Sequence, residues 1–174
     1  FGRNYPTIGF DINHVRAEEL RDGLDRNGDV TKGDLDQTDL NITSDPAMLT
    51  DVNFFVIAVP TPVDSSRQPD LRYLENASKI VGDALKTGRR RLDQKYEQSN
   101  NQPTAEQPNP IIVYESTVYP GCIEEVCIPL LEQESGLKNA SQFHVAYSPE
   151  RINPGDTEHR LETIVKVVAA QDPK

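Results

Sequence analysis

Ile111-Ile112-Val113-Tyr114-Glu115-Ser116-Thr117-Val118-Tyr119-Pro120-Gly121 is the stretch that decides the fold. Ile111 to Tyr114 is short, apolar and largely β-branched, with turn residues around it, which is the pattern of a buried strand. The run gives way to Glu115, Ser116 and Thr117, and Pro120-Gly121 resets the backbone before a helical pattern that opens near Cys122. In an open parallel sheet, ligands settle in the crevice beyond the carboxyl ends of the strands. A carboxylate and two hydroxyls at such an end therefore point to a binding function. A Ser/Thr turn that only closes a strand uses the same residue types, and the stretch by itself leaves both readings open.

Working outward, the same arrangement recurs. Tyr5 to Phe10 reads as a strand, weakened at its start by Pro6 and ending in Asp11. Asn13 can cap a helix carrying Val15, Ala17 and Leu20, with Gly23 as its stop. Leu40 to Thr43 is a short strand, and Ser44-Asp45-Pro46 starts a helical turn that faces Met48 and Leu49 inward. Val52 to Val59 is a continuous apolar run suited to a sheet covered on both faces, and Pro60-Thr61-Pro62 breaks it in a stiff loop.

Helical spacing fills residues 70 to 85, with Gly88 as the expected end. Residues 89 to 110 hold three arginines and then mostly polar groups; with so little to bury, they read as a flexible, solvated insertion. After the opening strand, Ile123, Val126, Cys127, Leu130 and Leu131 make a helix face that Pro129 kinks or shortens and Gly136 ends. Phe143 to Tyr147 and Ile164 to Ala169 read as further strands. Repeated strand–helix units with polar residues at one edge predict an α/β fold, a doubly wound and mostly parallel, Rossmann-like sheet.

Composition narrows the functions. The 174 residues carry a formal net charge of −10 and a pI near 4.7, which argues against a nucleic-acid partner bound through a basic face. The longest apolar run is too short to span a bilayer, so no membrane partner is expected. No secretory leader is recognisable at Phe1, and a cytoplasmic location follows as the expectation. Cys122 and Cys127 are the only cysteines; five apart on a regular helix, they should lie on different faces and pair poorly. Residues 25 to 36 imitate a calcium loop, with Asp25, Asn27, Asp29 and Asp36 at ligand positions. Val30 stands where that loop needs glycine and Asp36 where it needs the longer Glu, so no metal site is expected.

Asp11 has a specific chemical reading. A carboxylate at the end of the second strand of a dinucleotide-binding unit accepts hydrogen bonds from the adenosine ribose, and the glycine fingerprint lies about 20 residues before it. Counted back from Asp11, that place falls before residue 1. The chain therefore reads as a fragment, a Rossmann unit without its first strand.

Taken in order, Gly9-Phe10-Asp11-Ile12-Asn13, Val59-Pro60-Thr61-Pro62, Glu115-Ser116-Thr117-Val118-Tyr119-Pro120-Gly121 and Ser148-Pro149-Glu150-Arg151-Ile152-Asn153-Pro154-Gly155 resemble the NAD-binding domain of the UDP-glucose/GDP-mannose dehydrogenase family. Nearly the whole chain outside residues 89 to 110 takes part. The last two motifs, with Arg67-Gln68-Pro69-Asp70-Leu71, look most like the UDP-N-acetylhexosamine 6-dehydrogenase branch, which supplies uronic acids for polysaccharides. The resemblance implies NAD as cofactor and a UDP-sugar as substrate, oxidised at its C6 alcohol to a carboxylate through a cysteine-linked intermediate. It also implies a homodimer or higher homo-oligomer at full length.

By position, the resemblance makes Asp11 the ribose ligand and Arg16 an adenosine-side contact. It places Thr61 and Thr117 near the pyrophosphate and nicotinamide. Glu150, a candidate base or water-orienting group, stands with Arg151 and Ile152 at the substrate edge. The family's connecting helix and its substrate domain, with the catalytic Cys and the Lys and Asn partners, are not found here, and Cys122 does not take that role. The fragment alone is expected to be inactive. The alternatives are a stand-alone nucleotide-binding module and another Rossmann dehydrogenase of the hydroxyacid or 6-phosphogluconate type.

Overall fold

The computed structural model describes residues 1–63, 65–99, 108–149 and 165–170. They form two compact units, 1–49 and 50–174, the first with a parallel and the second with a mostly parallel sheet.

In the first unit β1 (Thr7–Phe10) runs parallel to β2 (Leu40–Thr43), in register from Thr7 opposite Leu40 to Phe10 opposite Thr43. The helix α1 (His14–Arg21) connects them and packs on β2 with Ala17 buried. Asn13 starts it as expected, its side chain accepting from the amides of Val15 and Arg16. Gly23 ends it at φ +83, a left-handed conformation that glycine adopts at least cost. A one-turn helix, α2 (Lys32–Leu35), follows, closed by a reciprocal capping box between Thr31 and Asp34.

In the second unit β3 (Phe54–Ile57), β4 (Ile111–Tyr114) and β5 (His144–Tyr147) are parallel neighbours, and β6 (Ala169–Ala170) joins β5 antiparallel. Ile57, Tyr114 and Tyr147 lie opposite one another in the ladder, so three strands end level and release their loops from one edge. Phe55, Ile57, Ile112 and Tyr114 share the buried face. Tyr114 is covered by α3 (Arg72–Ser99), where its hydroxyl meets Ser78 Oγ at 2.7 Å, and α4 (Ile128–Ser135) packs along α3. On the other face Phe54, Val56 and Ile111 are exposed. Among the described residues, no helix is long and apolar enough to cross a membrane.

Several expectations change. The stretch 89–110 is not one flexible loop: α3 continues through Gly88 to Ser99, and 100–107 lie outside the described residues. Gly88 is a contact rather than a stop, since a Cβ there would meet the Thr50 carbonyl oxygen at 2.2 Å. Beyond it, Arg89 pairs with Asp93 one turn on, and Arg91 reaches Thr50 Oγ1 and Asp51. These bonds support a stretch of good helix formers whose residues 89–94 are exposed.

The cysteines also depart from the regular-helix expectation. Residues Ile123–Cys127 form a wide π turn ahead of α4, and Cys122 and Cys127 are both fully buried. Pro129 explains the turn: it has no N–H to donate and its ring crowds the carbonyl four residues earlier, whereas the wider turn lets Ile128 N bond Ile123 O. The run 52–59 is a strand only over Phe54–Ile57, and Met48 is exposed while Leu49 is buried. The last strand is shorter than its pattern, Ala169–Ala170.

Candidate functional site

The level edge of the second unit is tied across its loops. Glu115 N donates to Ile57 O at 2.7 Å and Ser148 N to Tyr114 O at 2.9 Å, extending the ladder one step past each strand. Ser116 is only 2% exposed, and its hydroxyl donates to Val59 O at 2.7 Å. In return, Thr61 Oγ1 donates to Thr117 O. Each loop thus gives one side-chain hydrogen bond to the main chain of the other.

These ties assign hydrogen-bonding roles. With its proton on Thr117 O, the Thr61 hydroxyl can only accept from a ligand. The Thr117 hydroxyl has no partner among the described residues and is exposed, so it can donate or accept. Ser148 Oγ, buried at the exit of β5, is also without a partner. Lys166 Nζ, arriving with the segment before β6, pairs with Glu115 Oε1 at 2.8 Å. Glu115 is thereby a partly buried anchor for the edge.

In the first unit, Asp11 lies at the end of β1. Its Oδ1 accepts from Asn13 N at 2.8 Å, and its Oδ2 takes no hydrogen bond among the described residues, leaving it available to a diol. Arg16 Nη2 bonds Asp25 Oδ1 at 2.6 Å, and Arg16 Nη1 is buried without a partner. The Arg16 guanidinium beside Asp25 holds that carboxyl down to about 2, helped by the amides of Val30, Asn27 and Asp29. Both Asp25 oxygens are therefore already used in the stretch that imitates a calcium loop.

The thiols are held in their neutral form. Burial pushes the Cys127 thiol up to about 12 and raises Cys122 as well. Burial likewise raises the Tyr114 phenol. A protonated, inaccessible thiol is a poor nucleophile, so neither cysteine supplies a reacting group.

Of the residues singled out by sequence, the structure places Thr61 with Thr117 in one unit and Asp11 with Arg16 in the other. Glu150, Arg151 and Ile152 lie outside the described residues. Sequence reasoning gave no role to Lys166, read Ser116 only as one of two hydroxyls at the strand end, and read Asp25 only as part of the calcium-loop imitation. Nothing local marks Lys166, which reaches Glu115 only through the fold.

Residues 5–174 match the profile of the UDP-glucose/GDP-mannose dehydrogenase family, NAD binding domain. The chain belongs to this family. It is 44% identical over 171 residues to "Protein CapL" of Staphylococcus aureus, covering 98% of this chain and 35% of that protein. It is 41% identical over 175 residues to a UDP-N-acetyl-D-glucosamine 6-dehydrogenase of Pseudomonas aeruginosa, covering 100% of this chain and 36% of that one. The chain thus spans about a third of the length of these curated relatives.

Among solved structures, a UDP-glucose dehydrogenase from Pyrobaculum islandicum superposes with a TM-score of 0.75 at 24% identity, over 97% of this chain and 36% of that one. That likeness shows the Rossmann-like α/β fold. As the family's NAD-binding domain, the chain has NAD as its cofactor, and the groups it presents fit that molecule. Asp11 offers a free carboxylate oxygen to a ribose diol, while Thr61 and Thr117 offer an acceptor and an available hydroxyl at a parallel strand edge.

Proposed function

We propose that the chain is the cofactor-binding portion of a nucleotide-sugar 6-dehydrogenase that oxidises a UDP-N-acetylhexosamine to its uronic acid for polysaccharide biosynthesis. The observation that carries this reading is the tied edge of β3 and β4, where Thr61 and Thr117 are held at a fixed spacing. The names of the relatives at 41% identity, UDP-N-acetyl-D-glucosamine 6-dehydrogenases, support the substrate class.

Bound NAD would supply the hydride acceptor. The chain's own residues bind and orient it: Asp11 takes the adenosine ribose hydroxyls, and Arg16 stands on the adenosine side. Thr61 accepts from a ribose hydroxyl or the carboxamide, and Thr117 donates to an oxygen of the cofactor. Glu150 is assigned the role of base or water-orienting group, with Arg151 and Ile152 along the UDP-sugar. The reacting thiol belongs to a substrate domain beyond this chain, so the chain alone is inactive. The full-length protein is assigned to the cytoplasm as a homodimer or larger homo-oligomer.

The test is calorimetric titration of the full-length protein with NAD, alongside Asp11→Ala. Loss of Asp11 should weaken NAD binding by about tenfold or more, the effect of one or two hydrogen bonds to a charged acceptor. Unchanged affinity would remove Asp11 from the site. Turnover assays with UDP-N-acetylglucosamine and UDP-glucose then test the substrate, and equal use of both would refute the hexosamine assignment.

A further inference from the structure

We infer that Asp25 is a specificity determinant, favouring NAD over its 2′-phosphorylated counterpart by holding the charge of Arg16. The inference rests on Asp11 being the ribose ligand proposed above.

The Asp25 side chain is 3% exposed and takes four donors. Oδ1 receives Arg16 Nη2 at 2.6 Å and Asn27 N at 3.2 Å, and Oδ2 receives Asp29 N at 2.9 Å and Val30 N at 3.2 Å. An acceptor so fully coordinated by amides is both ionised and fixed in place. Arg16 is linked to Asp11 by a short relay: Asp11 Oδ1 accepts from Asn13 N at 2.8 Å, and Asn13 Oδ1 accepts from Arg16 N at 3.3 Å. The guanidinium therefore springs from the first turn of the helix that follows Asp11. In dinucleotide-binding folds that take NADP, a nearby arginine accommodates the 2′-phosphate.

Here that arginine's charge is already balanced. Its Nη2 is committed to Asp25, and its Nη1 is buried with no partner among the described residues. The neighbouring Arg26 is paired as well, with Glu19. A 2′-phosphate brought to Asp11 would meet a carboxylate and find the Arg16 guanidinium neutralised by Asp25. A ribose diol needs only the carboxylate. Asp25→Asn keeps the shape of Asp25 and one accepting oxygen, which can hold the Asp29 and Val30 amides, while its NH2 turns a donor toward Asn27 N and Arg16 and leaves Arg16 an unbalanced cation on the helix that follows Asp11.

The experiment measures NAD and NADP affinities of the full-length protein by calorimetry, without sugar substrate, and reads the ratio of the two Kd values. Asp25→Asn should shift that ratio toward NADP by about tenfold, the scale of one added unit charge near a phosphate at a protein surface. Asp25→Asn with Arg16→Gln should restore the wild-type ratio, and Arg16→Gln alone should move it further toward NAD. An unmoved ratio in Asp25→Asn overturns the inference, and so does a shift that persists in the double variant. Should Asp25→Asn not fold, Arg16→Gln decides, since a ratio unchanged or moved toward NADP overturns it. Wild-type protein that binds neither dinucleotide would refute the cofactor reading itself; binding with an unmoved ratio refutes only the role of Asp25.

Discussion

Ser116→Ala and Thr61→Val remove the two ties between the β3 and β4 exit loops, and their effects should rank oppositely in two assays. Ser116 is 2% exposed and donates to Val59 O at 2.7 Å. Its loss leaves a part-buried carbonyl with no donor and no easy route to water. An unsatisfied buried acceptor costs about 1–3 kcal/mol, and a value near 2 kcal/mol corresponds to a melting midpoint lower by roughly 4–8 °C for a domain of this size. The Thr61 tie ends on an exposed carbonyl, which water can satisfy, so Thr61→Val should cost less than about 0.5 kcal/mol.

For NAD the order reverses. Thr61→Val removes the acceptor proposed for the cofactor and should weaken binding about tenfold. Ser116→Ala only loosens the loops and should weaken it about threefold. Thermal melting and calorimetry on the same two variants give the comparison. If Thr61→Val destabilises as much as Ser116→Ala, or Ser116→Ala costs more NAD affinity, the division into a buried tie and a ligand-facing acceptor is wrong.

Gly88→Ala separates helix propensity from packing. Propensity alone predicts a gain of about 1 kcal/mol, but the new Cβ would sit 2.2 Å from the Thr50 carbonyl oxygen, and we expect a net loss of about 1–2 kcal/mol in urea unfolding. The buried thiols should resist a thiol reagent at pH 8 until the protein is unfolded; rapid native labelling would contradict their burial. Because burial raises the Cys127 thiol from its ordinary 9.0 to about 12, the folded state holds this proton more tightly than the unfolded one. Stability should therefore fall as pH rises from about 9 toward 12, and Cys127→Ser should flatten that decline if Cys127 is its source. Calcium titration should release no heat, since Asp25 is already occupied by Arg16 and three amides; a saturable heat would show the loop opening.

The strands were legible where apolar residues and their boundaries agreed. Leu40–Thr43 and Ile111–Tyr114 fall where the sequence pattern places them, because each is a short β-branched segment closed by polar or turn residues. Gly88 misled because its two physical meanings, helix end and close contact, look alike until Thr50 is seen against it. The polar stretch after it offers little to bury, and its helix rests instead on good helix formers and on charges one turn apart. At the site, Asp11, Thr61 and Thr117 were visible as polar groups at strand ends. The pairings of Lys166 with Glu115 and of Asp25 with Arg16 were not, since the partners lie 51 and 9 residues apart in sequence, and pairing of that kind is a property of the folded chain.

Phe54, Val56 and Ile111 bear on how such a domain is made. β3 is the outer strand of its sheet, and Phe54 is 45% exposed and Val56 37% on the face away from α3. During synthesis, or when this segment is produced by itself, an apolar outer strand is a ready template for other strands. Purified alone, the chain should behave as a chaperone client that pairs with copies of itself as concentration rises. Its yield would then be limited by self-association rather than by the stability of its core.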